Sequence, residues 1–499
     1  MKKTLVVFFL LSSLFSYARH RFLRAGKRTV ALCSFLVTAF LGLTSALAQD
    51  PSVIGQWTAP ETWPAKAIHA QLFPTGKLLF WPNSGQTSLW DPVTDTWSSA
   101  KRSGENTWCS GYSLLADGQM FLAGGYASRF VGTPHAYKYN AFTDKWTQLP
   151  DMNAGRWYPT STTLPNNDVL VISGQIDTTV GMNVLPQVWQ TAVNSWRDLT
   201  TAQLVVPYYP YMFVAPNGKV FMAGPGVITR YLDVSGTGTW TTVANFNFGI
   251  RNWASAVTYD DGKILVTGGT TCDFYFKKCA DLPTPTAETI DLNGSTPTWT
   301  YTAPMLNRRK NHNLTLLPDG NVFCSGGTRS QESPNLDSTD PAFQCEMWNP
   351  NTGQWSAMAS ITVFRGYHSI AALLPDGRVV SAGGKWGTTS GEIYSPPYLF
   401  KGARPTITSA PASVAYGQTF FVGTPDATSI SKVTMIALSS VTHGFNMNQR
   451  IIRPAFSQAS GGLNVTAPSS SIITPPGYYM LFILNSNGVP SVSNFVRIN

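Results

Sequence analysis

Asp260-Asp-Gly-Lys-Ile-Leu-Val-Thr-Gly-Gly269 reads as a tight turn, a short apolar strand and a break, in that order. Glycine takes a positive φ at little cost, so an Asp-Gly pair between apolar runs marks a hairpin. Upstream the pattern recurs at Pro74-Thr-Gly-Lys-Leu-Leu-Phe80, Ala116-Asp-Gly-Gln-Met-Phe-Leu-Ala-Gly-Gly125, Pro165-Asn-Asn-Asp-Val-Leu-Val-Ile-Ser-Gly174 and Pro216-Asn-Gly-Lys-Val-Phe-Met-Ala-Gly224. Downstream it recurs at Pro318-Asp-Gly-Asn-Val-Phe-Cys-Ser-Gly-Gly327 and Pro375-Asp-Gly-Arg-Val-Val-Ser-Ala-Gly-Gly384, which makes seven copies. Most copies are followed by a Trp-bearing segment, such as Trp90-Asp-Pro-Val-Thr-Asp-Thr-Trp97 or Trp348-Asn-Pro-Asn-Thr-Gly-Gln-Trp355.

A repeat of roughly 40 to 60 residues has the period of kelch propeller blades, each a four-stranded sheet packed in a ring that leaves only short edges. The repeat stops near Tyr394-Ser-Pro-Pro-Tyr-Leu-Phe400. Beyond it the chain is rich in Ser, Thr and Val, with alternating runs such as Lys432–Leu438 and Tyr478–Leu484 that suit an Ig-like sandwich. The expected fold is therefore all-β. A seven-bladed kelch-type β-propeller covers residues 49–398, and a C-terminal Ig-like β-sandwich covers 399–499. No helix of any length is expected outside the leader.

The first 48 residues form a signal or leader segment, set aside from the fold. A basic stretch with Arg19, Arg21, Arg24, Lys27 and Arg28 precedes an apolar run from Thr29 that ends Ala46-Leu47-Ala48. Small residues before the cut are the pattern of a cleaved secretory signal, and imply a secreted, periplasmic or cell-envelope protein. An earlier apolar run, Thr4 to Ser16, leaves a retained anchor as the alternative. The formal net charge of +9 shrinks to about +2 once Lys2, Lys3 and those five basic residues are removed, because no acid precedes Asp50. The basic balance that would point to nucleic acid disappears with them. Five cysteines remain: Cys109, Cys272, Cys279, Cys324 and Cys345. The spacing suggests disulfides Cys272–Cys279 and Cys324–Cys345, with Cys109 left over.

A propeller gathers the starts of its innermost strands around the axis. The residues just before those strands are Trp108-Cys109-Ser110, Arg156-Trp157-Tyr158, Arg251-Asn252-Trp253, Asn311-His312 and Gly366-Tyr367-His368. That set is too polar and too aromatic to be filler. Each residue alone has a plain structural reading: a small core cysteine, inner-strand aromatics, a loop histidine. Together they resemble the galactose oxidase and glyoxal oxidase family of mononuclear copper-radical oxidases, over about Ile54 to the C-terminus. The resemblance implies that Cys109 and Tyr158 form a thioether cross-link that carries a radical. It also implies that Tyr158, Tyr367, His368 and His443 hold one copper ion. His443 lies in Thr442-His-Gly-Phe-Asn-Met-Asn-Gln-Arg450. Tyr367 would be the axial phenolate that takes the substrate proton. Two imidazoles and two phenolates make a tetragonal N/O site with a position open for substrate.

One departure stands out. The family's galactose oxidases stack a Trp over the cross-link, and the matching segment here, Ser173-Gly-Gln-Ile-Asp177, has no aromatic. Trp253 is the expected substitute. His312 reads as structural, and His69 and His135 carry no signal. The implied reaction oxidises a small primary alcohol or aldehyde, or a carbohydrate, with dioxygen and releases hydrogen peroxide; the expected state is a monomer that does not bind nucleic acid. The absence of the hexose-binding side chains leans toward small aldehydes or simple alcohols. The competing class is a non-catalytic kelch propeller that binds glycan or protein in the cell envelope.

Overall fold

Every one of those turns closes the hairpin between the first and second strands of an antiparallel sheet. The computed structural model describes residues 50–84, 86–100, 106–271, 281–332, 339–384 and 389–499. Seven sheets follow one another, one per repeat. Their innermost strands are His69–Leu72, Gly111–Leu114, Thr160–Thr163, Met212–Val214, Ser255–Asp260, Lys310–Leu316 and Ser369–Leu373. The Trp-bearing segments supply the third and fourth strands of their blades. Trp90 pairs with Trp97 and Trp348 with Trp355 across the two strands, because cross-strand aromatic pairs stabilise a sheet. The expected leader and its expected cleavage site after Ala48 lie outside the described residues.

Blade seven shows how the ring closes. Its outermost strand is not in sequence order: Gln56–Trp57 returns to pair with Ser390–Ser395. The two ends of the propeller are thus held by one sheet, which removes an open edge. A short 3-10 turn, Pro397–Phe400, then leads to the last domain.

That domain has a five-stranded sheet that includes Ile430–Ala437, Gly477–Asn485 and Asn494–Ile498, and a three-stranded sheet of Thr419–Gly423, Phe456–Ala459 and Gly462–Thr466. Phe420, Val422, Leu463 and Val465 meet Val433, Met435, Leu481 and Ile483 in one buried core, as expected when alternate residues of each strand face the other sheet. Between its strands, Ser440–Thr442 and Phe445–Asn446 form a hairpin that leaves the sandwich. It adds to the innermost strand of blade one, pairing His69 with Thr442 and Gln71 with Ser440.

Four arginines fix the entries to the inner strands. Arg156, Arg251, Arg309 and Arg365 are fully buried. Each donates Nη1–H to a carbonyl at the break that ends the pattern: Ser173 O at 2.9 Å, Gly268 O at 2.9 Å, Gly326 O at 3.0 Å and Gly383 O at 3.0 Å. The glycines of the break face the next blade. A Cβ on Gly124 or Gly326 would lie 2.3 Å from the carbonyl oxygen of Arg156 or Arg365.

The expected Cys324–Cys345 disulfide is not formed; both thiols are free and buried. Strand register is the reason: Cys324 faces Glu346 across the pair, and Cys345 falls in the bulge between Gln344 and Glu346. Cys272 and Cys279 lie outside the described residues. Counting cysteines therefore does not single out Cys109. Its place in the fold does.

Candidate metal centre

A propeller strand that starts near the axis must turn a side chain inward just before it begins. This chain does so with left-handed residues. Cys109 (φ 63°), Tyr158 (φ 69°), Tyr209 (φ 43°), Trp253 (φ 63°) and His368 (φ 69°) stand one to three residues before the inner strands of blades two to five and seven, and Asn311 (φ 56°) is the second residue of the inner strand of blade six. Bulky residues rarely adopt this conformation, and strain of this kind collects at functional sites. Backbone bonds link neighbours around the ring: Tyr158 N–H to Cys109 O at 2.9 Å, Tyr209 N–H to Tyr158 O at 3.0 Å and Asn311 N–H to Trp253 O at 2.8 Å.

His443 arrives from the other domain. His443 and Gly444 are the two central residues of the inserted hairpin, with φ of 52° and 78°. Both positive values define a type I′ turn, whose twist matches its strands. A Cβ on Gly444 would lie 2.7 Å from His312 O, so only glycine lets the tip reach the axis. Tyr112 Oη–H binds Val441 O at 2.5 Å and Ser255 Oγ–H binds Gly444 O at 2.6 Å. Blades two and five thus hold the hairpin in place.

The four expected ligand residues meet. Tyr158 Oη and Tyr367 Oη are 2.5 Å apart. His443 Nε2 is 3.2 Å from Tyr158 Oη, and its Nδ1 is 2.6 Å from Thr442 Oγ1. The His368 ring lies on Tyr367 with centroids 3.8 Å apart, and is 4.6 Å from the His443 ring. Cys109 is fully buried, with its thiol against the side chains of Tyr158 and Trp157.

The site is dry. Burial pushes both tyrosines up and draws His443 down to about 3. Burial also pushes the Cys109 thiol well up. A low-dielectric pocket disfavours every charge, so burial favours neutral phenols and an uncharged imidazole before a metal binds. Two phenolates at this separation need a cation between them, and binding one releases their protons. Among the described residues no group of three or more His, Cys, Asp or Glu can hold a metal. The donors that fit are two phenols and two imidazoles, an N/O set suited to Cu(II).

Trp253 does not take the expected position. It stands edge-on to Tyr367, centroids 5.8 Å apart at 87°. The ring stacked on Tyr158 is Trp157, its own neighbour, at 4.1 Å and 16°. The backbone explains this. Trp157 forms a two-way bridge with Gln175, N–H to O at 2.9 and 2.8 Å. The segment that lacks an aromatic therefore holds one in place through its backbone. Tyr208 closes the cage edge-on to both Trp157 and Tyr158, with its hydroxyl on Gln175 Oε1, and Tyr209 lies 4.9 Å from the Tyr158 ring. Sequence reading missed Tyr208, Tyr209 and His69. The run Val206-Pro-Tyr-Tyr-Pro-Tyr211 before the fourth inner strand was the available signal for the first two. His312 and His135 stay outside the site: His312 Nε2 is 2.8 Å from Thr267 Oγ1, and His135 pairs with Asp151.

A family model described as "Glyoxal oxidase N-terminus" matches residues 89–390. The chain belongs to the galactose oxidase/glyoxal oxidase family. A second model, "Galactose oxidase-like, Early set domain", matches residues 404–498. Galactose oxidase of Gibberella zeae is 30% identical, covering 89% of this chain and 71% of that protein. Aldehyde oxidase GLOX of Vitis pseudoreticulata is 28% identical, covering 79% of this chain and 82% of its own length. A solved structure described as a "Novel fungal alcohol oxidase with catalytic diversity among the AA5 family, in complex with copper" superposes with a TM-score of 0.82 at 27% identity, covering 89% of this chain and all of that one. Among the described residues of this family member, no helix is long and apolar enough to cross a membrane.

Proposed function

We propose that this chain is an exported copper-radical oxidase that oxidises a primary alcohol or an aldehyde with dioxygen and releases hydrogen peroxide. The observation that carries the reading is the meeting of Tyr158 Oη with Tyr367 Oη at 2.5 Å and His443 Nε2 at 3.2 Å, from three distant parts of the chain. Tyr158, Tyr367, His368 and His443 hold the copper, with the propeller at 49–398 and the sandwich at 399–499 each supplying ligands. Bound copper supplies one-electron redox chemistry and a substrate position, and the Cys109–Tyr158 thioether holds the second oxidising equivalent.

The chain's own residues do the rest. Tyr367 receives the substrate hydroxyl proton, a general-base step that suits a phenolate freed of its proton on loading. Trp157 covers one face of Tyr158 and excludes water from the radical, with Tyr208 and Tyr209 around it. The aromatics beside the site, Trp108, Tyr126 and Phe130, are only partly buried. Trp108 lies 5.7 Å from His368. Such a rim suits a small uncharged alcohol or aldehyde, in keeping with the glyoxal oxidase match to the propeller.

Copper-loaded protein should release peroxide from simple aldehydes or primary alcohols in a coupled assay. Exposure to copper and air should give, by mass spectrometry, a Cys109–Tyr158 peptide pair two hydrogens lighter than its parts. Cys109→Ser should lose that species and most of the activity, on the order of a hundredfold or more, while keeping its circular dichroism. A folded Cys109→Ser that oxidises at the parent rate sinks the reading. Export with removal of residues 1–48 is part of the same proposal, and N-terminal sequencing should find Gln49 first.

A further inference from the structure

Cys109 differs from its counterparts in one hydrogen bond. Tyr158, Tyr209 and Asn311 each donate their N–H to the carbonyl of the left-handed residue in the preceding blade. Blade one offers no left-handed residue before its inner strand; that strand opens at His69. The Cys109 N–H goes instead to a side chain, His69 Nε2, at 3.1 Å. An imidazole nitrogen thus takes the place of the backbone carbonyl that Tyr158, Tyr209 and Asn311 use.

His69 is built into this task. It is fully buried and lies flat on Trp81, centroids 4.8 Å apart at 2°. Trp81 Nε1–H in turn donates to Thr107 O at 3.2 Å, in the loop that carries Cys109. Two side chains of blade one therefore clamp that loop. Accepting from Cys109 at Nε2 puts the His69 proton on Nδ1, a buried atom with no hydrogen-bond partner. An orphaned buried donor costs free energy, and the acceptor that His69 offers Cys109 offsets that cost. His69 also pairs in register with Thr442, next to His443.

We infer that His69 is a positioning residue for thioether formation: it holds the left-handed Cys109 backbone so that the sulfur meets the Tyr158 ring. The inference rests on the proposed cross-link. In that step the Cys109 S–H and one ring C–H of Tyr158 are broken and one C–S bond forms. The two electrons and two protons released reduce dioxygen to hydrogen peroxide.

The test follows cross-linking in copper-free full-length protein after addition of Cu(II) and air, by the mass of the peptide pair. His69→Phe keeps a flat ring on Trp81 and removes the acceptor. It should slow cross-linking by roughly ten- to a hundredfold, the range expected for reacting groups held about an ångström out of place. His69→Gln places a carbonyl near the Nε2 position and should restore the rate to within a few-fold, whereas His69→Asn, one methylene shorter, should not. A folded His69→Phe that cross-links at the parent rate overturns the inference. Should His69→Phe not fold, equal rates for His69→Gln and His69→Asn overturn it. If the parent protein never cross-links, the underlying oxidase reading has failed instead.

Discussion

Blades five, six and seven enter their inner strands over a buried ion pair, and blade three does not. Arg251 and Glu288 are 2.6 Å apart, Arg309 binds Glu346, and Arg365 is 3.4 Å from Glu392, every side chain fully buried. In blade three, which carries Tyr158, the carboxylate is replaced by an amide. Arg156 Nη2 meets Gln187 Oε1 at 3.3 Å, and Gln187 passes its own N–H to Asp198 at 2.7 Å. Burial pulls Arg156 down to about 9, opposed only by the more distant Asp198 charge, whereas the charges around Arg309 outweigh its burial and raise it. All four arginines keep the Nη1 bond to the break carbonyl. The carbonyl bond thus sets the geometry of the entry, and the carboxylate serves only to compensate charge.

The largest effect should come from removing a carboxylate where it is used. Glu346→Ala leaves Arg309 charged and buried, and should cost about 3–5 kcal/mol in urea unfolding. The equivalent change in blade three, Gln187→Ala, should cost far less; equal losses would erase the distinction.

The reverse swap tests the same point. Gln187→Glu gives blade three the carboxylate of the other blades but removes the N–H that Asp198 accepts and sets two carboxylates together, so the gain at Arg156 should be offset and the net change should stay within about 1 kcal/mol.

The last effect concerns blade six alone. Burial pushes the Cys324 and Cys345 thiols from 9.0 up to about 12. The folded chain keeps protons that the unfolded chain releases, so this contribution is intact below pH 9 and is lost as pH climbs toward 12. Cys345→Ala should make the alkaline decline shallower by about 1 kcal/mol per pH unit, read from urea midpoints between pH 9 and 11. An unchanged slope would show that the thiol is not shielded as its burial implies.

The same contrast explains what was readable in advance. The buried arginines stand at fixed places before the inner strands, so Arg156 and Arg251 came to notice together with their neighbours. Their partners come from the third strand of each blade, at Glu288, Glu346 and Glu392, some 27 to 37 residues later. Nothing local in Gln187 reveals that it occupies the same position.

The sequence by itself determined the seven repeats, the turn that opens each one, the change to a sandwich after Tyr394, and the candidate set Cys109, Tyr158, Tyr367, His368 and His443. Those follow from local chemistry: glycine at positive φ, alternating apolar strands, and donor types suited to one metal. Tertiary structure alone decided which ring lies on Tyr158, how His443 reaches the axis, why Cys324 and Cys345 stay apart, and what His69 is for. Each of these depends on register or on contacts between blades. One residue of register separates a facing cysteine from one in a bulge, and the bond from Cys109 to His69 spans 40 residues and two blades. Periodicity specifies the blades, but only their packing brings residues from different blades into contact.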